Sequence, residues 1–266
     1  MDMELETTLL VDCNHGETVM KDLAARKAFG TYDIVESVTI LMQDRYFDTE
    51  NRSLSKNNAA LRIRKTGRQC LVCVKGKEHI HEWGGIERLE IEHPWSLEAL
   101  EKIIPHLGES WRKPDNKVFC MDDPDKTISR MGLKCIQDRQ TNRIILGISH
   151  RHDPSESICA EMALDRVAYT NAGTSFLHYE IEIEAKASDG DIHLKALAGL
   201  LKKEFPDTLK RWDHNKLITG FAIETLLEQG ELGGDTSGLQ FLRRIDYEKI
   251  ETVIIQMNRQ LRPAPA

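Results

Sequence analysis

Long apolar runs, an excess of positive charge and a disulfide spacing are all missing from this sequence, and each absence excludes a class of protein. No stretch of the 266 residues approaches the roughly 18 consecutive apolar residues of a membrane span, so no membrane partner is expected. Met1–Val11 carries acids where a secretion signal carries positive charge, which points to a cytoplasmic protein. A net charge of −7, a pI of about 5.8 and the lack of a basic stretch studded with aromatics argue against a nucleic-acid partner. The six cysteines, Cys13, Cys70, Cys73, Cys120, Cys135 and Cys159, show no small-domain pattern and would stay reduced in a cytoplasm. Cys70 and Cys73, followed by His79 and His81, lack the turn residues of a zinc knuckle and read as buried strand thiols. No internal repeat at solenoid periods is present.

What the sequence does hold is charge, 30% of its residues, much of it alternating with apolar positions in the period of a β-strand. In Met3–Val11, Glu4, Glu6 and Thr8 share one face, and Met3, Leu5, Leu9 and Val11 share the other with Thr7. The pattern returns in Ala59–Lys65 (Arg62 and Arg64 against Leu61 and Ile63), Gln69–Lys75, Glu87–His93 (Arg88, Glu90 and Glu92), Glu161–Tyr169 (Glu161 and Asp165) and His178–Lys186 (Glu180, Glu182, Glu184 and Lys186). With the less regular Val35–Phe47 and Arg143–Ser149 this makes about eight strands, a number that closes into a barrel.

Apolar residues at three-to-four spacing predict helices over Glu17–Phe29, Leu97–His106, Ile192–Phe205 and Asp213–Glu228, with Ser96 and Asp213 as N-caps. Residues 1–229 form the predicted main domain. The glycine-rich 230–238 reads as a linker, and 239–266 as a final helix outside that domain with a frayed tail. The apolar stripe of that helix suits packing within the chain, and oligomeric state is left open.

A single charged sheet face can simply meet water. Here carboxylates concentrate on some strands and arginines or lysines on others. If helices cover the apolar faces, the charged faces point into a lumen where like charges repel unless a ligand intervenes. Clustered carboxylates suit a hard cation, and clustered guanidinium and ammonium groups suit phosphate oxygens.

At this point the chain resembles the CYTH group, the triphosphate tunnel metalloenzymes, across about residues 3–225. The motifs run in the family's order. Glu4-Leu-Glu6 matches its opening acids, with Thr8 where the family has lysine, and Tyr46-Phe47-Asp48-Thr49 and Ala60-Leu61-Arg62-Ile63-Arg64 follow. Lys75-Gly76, the strand with Arg88, Glu90 and Glu92, Thr141-Asn142-Arg143, Leu164-Asp165, the Glu180–Glu184 strand and Asn215-Lys216 complete the series.

The resemblance implies an α+β fold, a closed eight-stranded antiparallel β-barrel forming a tunnel with helices packed on the outside. It also implies catalysis by Glu4, Glu6, Arg62, Arg64, Lys75, Glu90, Glu92, Arg143 and Lys216. Glu4, Glu6, Asp165 and acids among Glu180, Glu182 and Glu184 would bind Mg2+ or Mn2+, and alternation does not choose among the last three. Arg62, Arg64, Lys75, Arg88, Arg143 and Lys216 would grip the phosphate chain, with Glu90 and Glu92 placed for water or a second metal. Lys77 and Arg139 fit equally as phosphate contacts or as salt-bridge partners. The expected activity is hydrolysis of a small-molecule triphosphate, inorganic tripolyphosphate first, then a nucleoside or thiamine triphosphate. The alternatives are a non-catalytic polyphosphate or nucleotide sensor, suggested by Thr8, and a class IV-type adenylate cyclase.

Overall fold

Every alternating segment folds as a strand, most of them longer than the pattern that announces them. The computed structural model describes residues 3–108, 111, 117–152, 157–171, 174–232 and 238–261. First come β1 (Met3–Val11), α1 (Gly16–Ala25), β2 (Ala28–Phe29), β3 (Tyr32–Asp48) and α2 (Ser53–Lys56). β4 (Ala60–Thr66), β5 (Gln69–Ile80) and β6 (Ile86–Pro94) follow, then α3 (Leu97–Ile103), a 3₁₀ turn over Ile104–His106, and α4 (Pro124–Arg130). The chain continues through β7 (Lys134–His150), β8 (Ile158–Asn171), β9 (Thr174–Ala185), α5 (Gly190–Glu204) and β10 (Leu209–Arg211). α6 (Lys216–Glu228), β11 (Gly238–Phe241) and α7 (Arg244–Leu261) end the described residues.

Strand neighbours run β10-β1-β6-β5-β4-β3-β7-β8-β9-β11, and β1 also pairs with β9. The pairing closes eight strands into an antiparallel β-barrel with helices outside it, the α+β class the sequence implied. Contacts gather into two compact units, one made of residues 1–4, 41–80 and 86–140, the other of 5–40, 81–85 and 141–266.

In the first unit the apolar faces of β4 and β5, Leu61, Ile63, Val72 and Val74, pack against Leu100 and Ile103 of α3 and Ile128 of α4. Ser96 caps α3 by accepting the Ala99 N–H at 3.0 Å, as predicted. Asp48, fully buried, accepts from the N–H groups of Thr49 (2.7 Å), Leu54 (2.9 Å) and Ser55 (3.0 Å) and from the Ser55 hydroxyl (2.6 Å). Its carboxylate therefore serves the turn into α2, an acidic group satisfied by backbone donors.

In the second unit Leu9, Val11, Met162, Leu164, Ile181 and Ile183 of the strands form one core with residues of α1, α5, α6 and α7. Gly16 opens α1 so close to Tyr179 that a Cβ there would lie 2.5 Å from the ring, so only glycine fits. Among the described residues no helix is long and apolar enough to cross a membrane.

Three helix predictions need correction at their ends. α1 stops at Ala25, and Ala28–Phe29, read as its last turn, pairs with β3 instead. α6 begins at Lys216, capped by Asn215, whose side chain accepts the Ile218 N–H at 3.0 Å. Asp213 does not cap because its carboxylate takes Arg211 at 2.5 Å. The helix expected from Leu239 starts at Arg244, because residues 238–241 pair with β9 in parallel as β11. α7 is also not outside the main fold, since Tyr247, Ile250 and Ile254 are buried in the core of the second unit. Residues 233–237 of the expected linker and 262–266 of the expected tail lie outside the described residues.

Candidate active site

Strand register builds the first charged group. In the first unit Tyr46 faces Arg62, Arg62 faces Cys73 and Cys73 faces Glu92, one row across β3, β4, β5 and β6. Asp44 faces Arg64 and Lys75 faces Glu90 in neighbouring rows. Period-two alternation turns these side chains to the face opposite the α3 and α4 core.

Asp44 is the hub. Arg64 forks onto it (Nε to Oδ1 2.7 Å, Nη2 to Oδ2 3.0 Å), with Arg62 Nε 3.8 Å and Arg139 Nη2 3.6 Å from its oxygens. Arg62 Nη2 also reaches Glu90 (3.1 Å) and Glu92 (3.3 Å). Lys75 Nζ contacts Glu90 and lies 3.5 Å from Glu4, while Arg88 spans Glu4 (3.2 Å) and Glu78 (3.0 Å). Burial opposes the ionised form of Asp44, yet Arg62, Arg64 and Arg139 hold its carboxyl well below the usual range. Glu90 is held down in the same way, against burial, by Lys75 and Arg62. Asp44 and Glu90 thus keep their charges at neutral pH, and the guanidinium forks of the group match phosphate oxygens as well as carboxylates.

In the second unit Asp165 of β8 faces Glu180 of β9, and Glu182 lies one pleat along. One carboxylate oxygen from each of Asp165, Glu180 and Glu182 lies within 4.8 Å of the others. Lys216, the first residue of α6, puts its ammonium among them, 3.0 Å from Asp165, 2.5 Å from Glu182 and in contact with Glu180. Arg143 of β7 forks onto Asp165 (2.7 and 2.6 Å) and contacts Glu182. Burial would lower Lys216, but Glu180, Glu182 and Asp165 raise it above its ordinary value. Asp165 stays below its usual range, since Arg143 and Lys216 outweigh burial. An all-oxygen set, two of its three carboxylates buried, that already gathers around a cation has the donor chemistry of a hard-metal site.

The predicted residues thus divide. Arg62, Arg64, Lys75, Arg88, Glu4, Glu90 and Glu92 meet in one group, and Asp165, Glu180, Glu182, Arg143 and Lys216 in the other. Glu184 stays out of the three-carboxylate group and pairs with Lys186 at 2.6 Å. Glu6 is buried opposite Glu184, and Thr8, uncharged, stands opposite Glu182. Sequence reasoning missed Asp44, whose signal was its same-face spacing from Tyr46, and left Arg139 undecided. Arg139 donates to the Tyr46 hydroxyl at 2.7 Å, its guanidinium 4.7 Å from the ring centroid.

Among solved structures, HpAC1 from Hippeastrum, a protein with a dominant triphosphatase activity, is 18% identical with a TM-score of 0.53, the match covering 86% of this chain and 97% of that one. A candidate adenylate cyclase from Bacillus halodurans is 22% identical, TM-score 0.48, covering 82% and 97%. The PH1819 protein of Pyrococcus horikoshii OT3 is 21% identical, TM-score 0.46, covering 84% and 99%. The Hippeastrum likeness is one of fold. No curated protein matches the sequence. The sequence matches the model of the CYTH domain over residues 17–206, more than half of its length, and with its closed barrel of charged strands the chain belongs to the CYTH domain family.

Proposed function

We propose that this protein hydrolyses a triphosphate, inorganic tripolyphosphate before nucleoside or thiamine triphosphates, with Mg2+ or Mn2+ required. The observation that carries the reading is the set of buried Asp165 and Glu180 and half-buried Glu182 gathered around the Lys216 ammonium. Those carboxylates, with Glu6 nearest in register, would hold the cation, which when bound polarises phosphoryl oxygens. In the second unit Arg143 and Lys216 neutralise charge on a phosphoryl group during in-line attack by water; in the first unit, taken by itself, Arg62, Arg64, Lys75 and Arg88 offer groups that bind phosphate by exchanging carboxylate partners for phosphate oxygens. Glu90 and Glu92 of the first unit, acceptors only when ionised, offer oxygens to a water or a second cation bound there. Such a reaction needs positioning and charge compensation and no covalent nucleophile. The triphosphatase activity of the Hippeastrum protein supports the reading.

A panel of tripolyphosphate, thiamine triphosphate and ATP, each with EDTA, Mg2+ or Mn2+, checks it. Orthophosphate should be released from tripolyphosphate with a divalent cation and not with EDTA. Cyclic AMP as the main product from ATP would replace this reading with a cyclase. Tight binding without turnover under any metal would favour a sensor, to which Thr8 would then contribute by withholding a charge opposite Glu182.

A further inference from the structure

A chain of polar atoms leads from Glu180 away from the charged group into the core of the second unit. His178, with no exposed surface, places Nε2 2.7 Å from Glu180 Oε2 and Nδ1 3.1 Å from the hydroxyl of Tyr247 on α7. That hydroxyl is 3.2 Å from Cys13 Sγ, which lies 3.3 Å from the Leu177 carbonyl oxygen. An ionised carboxylate only accepts, so Nε2 carries the hydrogen. In the neutral imidazole Nδ1 is then an acceptor and takes the tyrosine hydrogen, and the single hydrogen of the Cys13 thiol goes either to the phenolic oxygen or to the Leu177 carbonyl. Burial pushes the Cys13 thiol up to about 11, so it remains a donor at neutral pH.

The two oxygens of Glu180 are engaged differently. One contacts Lys216 within the charged group and the other is tied to His178. A glutamate has three rotatable bonds, and a buried one tied at a single oxygen keeps part of that freedom. Tying Oε2 to an imidazole, itself fixed at its second nitrogen, leaves Oε1 one direction in which to point. The surrounding rings restrict the imidazole further: Tyr247 and Tyr169 have centroids 5.7 and 6.1 Å from it, and Trp212 lies 5.7 Å from Tyr247. Tyr169 also donates to the Lys216 carbonyl at 2.8 Å, so the same aromatic group fixes the start of α6.

We propose that Tyr247, acting through His178, is a positioning residue that aims Glu180 at the bound cation, and thus that the C-terminal helix α7 tunes the metal site. The inference rests on the cation-binding reading above. It assigns α7 a part in the site although none of the described side chains of α7 belongs to the charged group.

Tyr247→Phe keeps the ring packing and removes only the hydroxyl. Mn2+ binding to full-length protein, followed by the electron paramagnetic resonance signal of free Mn2+ and by calorimetry without substrate, should weaken about threefold to tenfold in Tyr247→Phe. His178→Leu should lose about tenfold to a hundredfold, and His178→Gln, whose amide restores a donor near the Nε2 position, should recover part of it. A role in packing alone predicts the reverse, a lowered melting temperature with unchanged Mn2+ affinity. Wild-type affinity in Tyr247→Phe overturns the proposal even if His178→Leu fails to fold. Wild-type protein that binds no Mn2+ would instead remove the cation reading, and this inference with it.

Discussion

Replacing Asp44 by asparagine is expected to destabilise the protein by about 3–5 kcal/mol, since removing one partner of a buried ion pair leaves charges uncompensated. Three guanidiniums, those of Arg62, Arg64 and Arg139, converge on this carboxylate, which is 1% exposed. The lower end of that range is favoured because Arg62 retains Glu90 and Glu92. Urea unfolding measures the loss, and its pH dependence tests the cause. The folded Asp44 carboxyl is held below its ordinary value, so its stabilisation is complete above the unfolded value of about 4 and is lost as pH falls toward the folded one. The gap between wild type and variant should therefore be flat near pH 7 and narrow below about pH 4. A gap below about 1 kcal/mol at neutral pH, the range of exposed pairs, would show that Asp44 is not the hub described here.

Lys216→Met should have the second large effect. The substitution keeps an unbranched side chain and removes the ammonium from among Asp165, Glu180 and Glu182, which leaves them Arg143 as counter-charge. In EDTA the variant should melt well below wild type, because carboxylates packed within 4.8 Å then repel one another. Mg2+ or Mn2+ should raise the melting temperature of the variant more than that of wild type, since the cation replaces a missing charge as well as binding. Phosphate release should fall about 100-fold to 1000-fold, the cost of losing one charge-stabilising donor. Equal metal-induced shifts in the two proteins would argue that the cation binds elsewhere.

The barrel and its charged strands were legible because period two is written directly into segments such as Glu180–Glu184. Alternation placed all three glutamates of that strand on one face and stopped there. Which of them join Asp165 is decided by partners distant in sequence, Lys216 reaching Glu180 and Glu182 while Lys186 takes Glu184. Asp44 was illegible for the same reason. It sits in a strand of weak alternation, and its role comes from arginines on β4 and β7. Leu239 and Phe241 read as helix because apolar spacing over three residues cannot separate the two periods. Gly238, with φ of 122°, and the ladder to β9 settle that segment as strand. The part played by His178 was hidden too, because a histidine on an alternating strand says nothing about a tyrosine on a helix 69 residues later.

Diffraction from crystals of the protein with Mn2+ and tripolyphosphate, recorded at the manganese absorption edge, tests the central claim most directly. The account predicts an anomalous peak coordinated by oxygens of Asp165, Glu180 and Glu182, with the Lys216 ammonium turned from those carboxylates toward phosphate. Manganese bound only elsewhere, with Lys216 still seated among the three carboxylates at saturating metal, would contradict it.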